Sequence, residues 1–380
     1  MNTLTGWTEL DDRAVAYARA LSADAVQKVG NGHPGTAMSL APVAYSLFQR
    51  HLVHDPSDPQ WLGRDRFILS CGHSSLTLYV QLFLSGYGLE MKDLQSFRTW
   101  GSLTPGHPEY GHTAGVEMTT GPLGQGVATA VGMAMAARYE RGLLDPTAPA
   151  NASLFDHSIW VICSDGDLQE GVSAEASSLA GTQELGNLNI IYDDNRISIE
   201  GDTHNAFTED VAARYRAYGW HVIEVAALAT GNIDLVSLDA AMVAAKKEIS
   251  KPTLIRMHSV IAWPAPKAQG TASSHGSALG VEEIKATKIA LGLNPDEDFA
   301  MPADVLAHAR LVKDRGASAR ATWDAKFATW KSANPDKAAL LERLRVKGLP
   351  AGWDAGIPVF APDKEVATRA ASGEVINAIA

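Results

Sequence analysis

Two short polar motifs stand out because each follows directly on an apolar run. Ile159-Trp160-Val161-Ile162-Cys163 leads through Ser164 into Asp165-Gly166, and Leu188-Asn189-Ile190-Ile191-Tyr192 leads into Asp193-Asp194-Asn195. Mg2+ and Ca2+ take oxygen ligands, and Mg2+ is usually held by one or two carboxylates together with substrate phosphates. One carboxylate at Asp165, one neutral amide oxygen at Asn195 and a nearby backbone carbonyl would leave most of the ion's charge for a diphosphate to neutralise. Gly166 would let the backbone come close to that phosphate. Asp-Gly and Asp-Asn are common turn formers when taken singly. Their pairing at this spacing, each directly after a strand, favours the ion.

Four histidines sit in glycine- or proline-marked turns: His33 in Gly32-His33-Pro34-Gly35, His73 in Cys71-Gly72-His73-Ser74-Ser75, His107 in Pro105-Gly106-His107-Pro108-Glu109, and His275 in Ser274-His275-Gly276. Any one of them alone reads as a turn histidine with no task. Around His73, a helix-capping role for Ser74 or Ser75 is the bland alternative. Gly121-Pro122-Leu123-Gly124-Gln125-Gly126 can cradle phosphate ahead of a helix. It can equally be a tight turn that lets an alanine-rich helix pack closely. It is not GxGxxG and no strand clearly precedes it, so the dinucleotide fingerprint fails its context test. Glu170 and Glu175 follow the Asp-Gly turn. Their ordinary role is to favour a helix start, and their spacing does not put them on one helical face.

The elements that must position these groups follow from periodicity. Strand, helix, strand across 159–195 puts Asp165 and Asn195 side by side, beyond the carboxyl ends of two parallel strands, where ligands bind in such sheets. Asp65–Ser70 reads as a short buried strand that places His73 on the same rim. Asp11–Val29 has helical spacing and ends at Gly30-Asn31-Gly32. Pro34 suits a first helical turn, so His33 should stand just before a helix that runs on from Met38 to Arg50. A further helix is expected over Val127–Arg141, and strands over Trp220–Val225 and Pro252–Met257 with the helix Leu235–Glu248 between them. The alternation predicts an α/β fold, a parallel β-sheet sandwiched by helices. Ala262–Gly280 is irregular. Gly316–Lys347 reads as an amphipathic helix pair, Leu349–Pro362 as a linker, and Glu365–Ala380 as the opening of another helix. The expected divisions are 1–315, 316–364 and 365–380.

Composition narrows the class. The 380 residues are 46% apolar and 20% charged, which suits packed globular domains rather than disorder. A net charge of −11 without a basic run argues against nucleic acid. The acidic N-terminus lacks the pattern of a signal peptide, and the most apolar stretch, Val127–Ala137, is too short to span a bilayer. Cys71 and Cys163 lie in or after apolar runs and suggest reduced, structural thiols. A soluble cytoplasmic protein without membrane partners is expected.

GHPG, PGHPE, GPLGQG, the Asp165-Gly166 turn and Tyr192-Asp193-Asp194-Asn195, in that order, resemble transketolases. The whole chain is similar to their N-terminal part, the diphosphate domain of the thiamine diphosphate-binding fold. The resemblance implies transfer of a two-carbon ketol unit from a ketose phosphate to an aldose phosphate, as in the pentose phosphate pathway and Calvin cycle, by a homodimer. It implies thiamine diphosphate held with Mg2+ (or Ca2+) by Asp165, Asn195 and the carbonyl of Ile197, with Gly166 at the diphosphate. By the same match Gly121, Pro122 and Leu123 meet the aminopyrimidine, and His73 lies near diphosphate and substrate. His33 and His107 face the sugars, His275 lies near cofactor phosphate and sugar, and Arg369 binds the sugar phosphate. Glu170 and Glu175 would belong to a hydrogen-bonded chain between two active sites. The glutamate that activates the aminopyrimidine would lie beyond residue 380 and come from the other subunit, so the isolated chain is expected to be inactive. Two departures stand out: Ser164 replaces a usual glycine, and Ala272 replaces the first histidine of H-x-x-H-G-A-P-L-G.

The competing readings are a dihydroxyacetone synthase, a deoxyxylulose-phosphate synthase or a phosphoketolase with the same cofactor, and a non-catalytic half-subunit needing a separate pyrimidine-domain chain. A nicotinamide-dependent dehydrogenase would need GxGxxG after a strand and an acidic residue about 20 residues on, and neither is found.

Overall fold

The computed structural model describes residues 4–149 and 151–380. The chain divides into two units, Met1–Asp324 and Ala325–Ala380.

In the first unit the apolar runs become strands: β1 (Arg66–Leu69), β2 (Ile159–Ser164), β3 (Leu188–Asp194), the two-residue β4 (Ile197–Ser198) and β5 (Gly201–Asp202), β6 (His221–Val225) and β7 (Thr253–His258). Five of them form one sheet in the order β1-β2-β3-β7-β6, with every pairing parallel. β4 and β5 make a separate antiparallel pair just beyond β3. β2 and β3 are buried at every position, as central strands covered on both faces must be. Side chains alternate between two cores. Trp160, Ile162 and Ile191 join the helices Glu9–Val29, Pro34–Ser46, Leu76–Ser85 and Leu235–Lys247 on one face. Val161, Cys163, Ile190 and Tyr192 join the helix Gln125–Leu144 and Ala180 of the helix Gly171–Thr182 on the other. Cys71 and Cys163 are buried and unpaired. No helix among the described residues is long and apolar enough to cross a membrane.

Two helices differ from the sequence expectation in detail. The helix after His33 starts at Pro34, is α-helical to Ser46, and continues over Leu47–His51 in a wider π-helical turn. Pro42 lies inside it and donates no backbone hydrogen bond. The segment after Asp165 is two helices, Asp165–Gln169 and Gly171–Thr182, because Glu170 between them is extended at φ −73°, ψ 135°.

The expected helix pair is present as Val312–Ala333 and Pro335–Arg345. The division between units falls at Asp324 rather than at 315/316 because the first turns of that long helix are fixed in the first unit. A Cβ on Gly316 would lie 2.3 Å from the carbonyl oxygen of His54. Arg320 Nε lies 3.2 Å from the buried Asp55, and Trp323 Nε1 donates to the carbonyl of Leu154 at 2.8 Å. The second unit holds the rest of that helix, a stacked Phe327–Trp330 pair, and the helix Thr368–Ile379.

Candidate active site

The carboxyl ends of β1, β2, β3 and β7 make one rim. Ser164 pairs in register with Asp193, so Asp165 and Asn195 leave adjacent strands together. Asp165 Oδ2 accepts from the backbone amide of Arg196 at 3.1 Å, and Oδ1 accepts from the Tyr192 hydroxyl at 2.5 Å. The Asn195 amide is held at both ends. Its oxygen accepts from the Ile197 amide at 2.9 Å, and its nitrogen donates to Asp193 Oδ2 at 3.0 Å. Asp193 is steadied in turn by the Ser259 hydroxyl at 2.5 Å.

Burial pushes the Asp165 carboxyl up to about 7, and Asp193 and Asp194 push the same way against the Tyr192 and Arg196 donors. Among the described residues no cationic side chain pairs with Asp165. Nor do three His, Cys, Asp or Glu side chains converge as a metal cluster among them. The donors on offer are one carboxylate, one amide oxygen and turn carbonyls. That set fits a hard divalent cation whose coordination a ligand's oxygens complete.

Three of the four histidines meet beside this rim. His33 stands just before Pro34 at its helix start, His73 lies in a single 3-10 turn after β1, and His275 lies in the short helix Ser273–Gly276. Their ring centroids are 5.0 Å apart for His33–His73, 5.5 Å for His33–His275 and 4.9 Å for His73–His275. Gly35 makes the approach possible, since a Cβ there would lie 2.5 Å from the carbonyl oxygen of Ser274. The turn is also tied by the Ala262 amide, which donates to the Gly35 carbonyl at 3.0 Å. Neither Ser74 nor Ser75 caps the following helix. The Ser75 hydroxyl instead donates to the Gly106 carbonyl at 3.0 Å, which ties down the loop that carries His107. His107 itself is exposed and faces Gly121, with Cδ2 3.3 Å from where a Cβ on Gly121 would be.

Burial holds the cluster neutral at pH 7. His33 is pushed down to about 4 by burial, with His275, Arg98 and His107 adding to it. His73 is lowered well below its ordinary value by burial and then by His275 and His33, and His275 is lowered by burial. A neutral imidazole offers one donor and one acceptor nitrogen. Among the described residues His73 Nε2 and His275 Nδ1 have no hydrogen-bond partner although both are shut off from solvent, a state that a buried polar group rarely keeps.

The Gly121–Gly126 turn closes the other side. A Cβ on Gly72 would lie 2.6 Å from Thr120 Oγ1 and 2.8 Å from the Gly121 amide nitrogen, so the His73 turn docks on it. Leu123 reaches the other motif, with Cδ1 2.9 Å from where a Cβ on Gly166 would sit. Pro122 is exposed beside it. Glu170 and Glu175 are both exposed, one between the two helices and one within the second. Arg369 is exposed in the first turn of Thr368–Ile379, in the second unit.

The Ser164 departure needs no glycine backbone, for its φ is −113° and ψ 176°. Residues that sequence reasoning missed also surround the site. Arg98 Nη2 lies 3.3 Å from His33 Nδ1, and Nη1 donates to Asn31 Oδ1 at 3.2 Å. A guanidinium only donates, so His33 Nδ1 accepts and its proton sits on Nε2. Thr120 Oγ1 and Arg98 Nε are likewise buried without partners. Neither residue belongs to a periodic or glycine-marked motif, so no local signal could have singled it out.

The family described as "Transketolase, thiamine diphosphate binding domain" matches residues 10–350. The chain belongs to the transketolase family. Among its relatives are the transketolase of Mycobacterium leprae, 58% identical over 374 residues that make up 98% of this chain and 53% of that protein, and that of Geobacillus stearothermophilus, 47% identical over 372 residues, 98% of this chain and 55% of that protein. Among solved structures, a Pichia stipitis transketolase in complex with sedoheptulose-7-phosphate has a TM-score of 0.90 at 43% identity, over 98% of this chain and 54% of that one. The Leishmania mexicana transketolase has a TM-score of 0.90 at 39% identity, over 97% of this chain and 54% of that one. The chain thus spans about half the length of the transketolases it matches.

Proposed function

We propose that the protein carrying this chain is a transketolase, and that this part of it supplies the diphosphate, metal and sugar side of the active site. The observation that carries the reading is the meeting of His33, His73 and His275 beside the Asp165 and Asn195 rim, with one ring nitrogen each of His73 and His275 unpartnered among the described residues. Bound thiamine diphosphate supplies the nucleophilic carbon needed to cleave and re-form a carbon–carbon bond next to a carbonyl. Asp165, Asn195 and the carbonyl of Ile197 would hold Mg2+ (or Ca2+), with Gly166 beside the diphosphate. Gly121, Pro122 and Leu123 would bound the aminopyrimidine.

The histidines would act as neutral donors and acceptors. His33, with Arg98 holding Nδ1 as acceptor, would present Nε2–H to a sugar hydroxyl. His107 and His275 would orient further hydroxyls and steady negative charge developing on oxygen, as preorganised donors do. His73 would bridge the diphosphate and substrate sides. Arg369 would grip a sugar phosphate with forked donors. Glu170 and Glu175, exposed on the first unit, would link two sites across a homodimer interface.

The test uses the full-length protein with thiamine diphosphate and Mg2+. Sedoheptulose 7-phosphate should form from xylulose 5-phosphate and ribose 5-phosphate. No transfer to ribose 5-phosphate would overturn the proposal, and preferred transfer to formaldehyde would favour a dihydroxyacetone synthase.

A further inference from the structure

Asp167 is fully buried and has no place in the proposed site, yet both of its oxygens are fully engaged. Oδ1 accepts from the Ser70 hydroxyl at 2.7 Å and from the Gly124 backbone amide at 2.8 Å. Oδ2 accepts from the Ser164 backbone amide at 2.9 Å and from its hydroxyl at 3.1 Å. Ser70 passes the connection on, because its oxygen also accepts from the amide of Val127 at 3.1 Å, in the first turn of Gln125–Leu144. One carboxylate thus ties together the end of β1, the end of β2 and the glycine turn before that helix. These three segments carry His73, Asp165 with Gly166, and Gly121 with Leu123.

We infer that Asp167 is a positioning residue for cofactor binding, fixing the glycine turn against the β1 and β2 strand ends so that the groups they carry face one ligand. The inference rests on the thiamine diphosphate reading above. Hydrogen bonds from four donors to an ionised acceptor are strong and geometrically demanding. An amide in its place could accept at one end only. Its nitrogen would confront the Ser164 amide donor to donor, leaving a buried N–H unpaired.

Charge alone predicts the opposite effect. A buried negative charge repels a nearby diphosphate, so removing it would tighten binding if Asp167 acted only through its field. The sign of the change therefore separates positioning from electrostatics.

The experiment measures thiamine diphosphate affinity of the full-length protein at saturating Mg2+ by calorimetry, beside thermal unfolding without cofactor. For Asp167→Asn the dissociation constant should rise about 10- to 100-fold, the range seen when groups that orient ligand-binding residues are lost. The transfer rate at saturating cofactor should fall by less than the affinity does. Ser70→Ala, which removes one donor and keeps the charge, should give a smaller rise in the same direction and serves if Asp167→Asn does not fold. Unchanged or tighter binding in a folded variant would overturn the inference alone. Absence of binding by the unaltered protein would overturn the cofactor reading and this inference with it.

Discussion

His33 shows how packing fixes what a single side chain can offer. Its ring is desolvated by packing against two other imidazoles, so it stays neutral, and Arg98 on Nδ1 leaves Nε2 as the only donor. His33→Ala in the full-length protein should lower kcat/KM by about 10- to 100-fold, with a small change in unfolding midpoint because the ring is only half-buried. A matching fall in stability would instead make His33 structural.

Histidines away from the site set a pH limit. His54 Nε2 donates to the Phe48 carbonyl at 2.9 Å, and Nδ1 pairs with the Tyr87 hydroxyl at 2.7 Å. Burial pushes His54 down to about 4 and His157 down to about 3. The unfolded chain, with ordinary histidines near 6.5, takes up protons first as pH falls. Stability from these neutral rings is therefore complete above about pH 6.5 and is lost progressively as pH falls from there to about 4 for His54 and about 3 for His157. His54 should account for on the order of 3 kcal/mol and His157 for on the order of 5 kcal/mol across its window. Urea unfolding at pH 7.5, 6 and 5 should show the decline, and His54→Gln should flatten it. A pH-independent free energy would contradict these burials.

At the scale of elements, turns rather than strands decide the site. β1, β2 and β3 run parallel, which brings three polar motifs to one rim, but ring contact depends on how closely the turns approach. Gly35 is the tightest case at the histidine cluster. Gly35→Ala would drive a methyl into the Ser274 carbonyl oxygen, and backbone on both sides would have to move. We expect a loss of about 1–3 kcal/mol and at least about a tenfold loss in transfer rate as His33 separates from His275. Denaturant titration and assay of one preparation would check both. Full activity in the variant would show that this contact is dispensable.

For the whole molecule, the rim limits how a metal could be held. Among the described residues Asp165 is a buried carboxyl without a countercharge beside an amide oxygen, a set too sparse to hold an ion by itself. Ion and diphosphate should therefore bind interdependently. Removing divalent ions with EDTA should weaken thiamine diphosphate binding by about 100-fold or more, and Mg2+ or Ca2+ should restore it. Retention of tight cofactor binding in EDTA would remove the metal from the site.

The apolar runs of β1, β2, β3, β6 and β7, the parallel sheet, and the place of Asp165 and Asn195 at adjacent strand ends were legible in the chain, because continuous apolar runs and the turns that end them are local properties. So was the position of His33 before a helix, which Pro34 marks. The order of strands and the two core faces were not local properties. The break at Glu170 had only Gly171 beside it as a local mark. The three histidines come from segments far apart in the chain, and only the docking of Gly35 on Ser274 and of Gly72 on the Thr120 turn brings their rings together. Arg98, Thr120 and Asp167 carry no motif. Arg98 and Asp167 make side-chain hydrogen bonds and Thr120 is buried only once distant segments have been packed beside them.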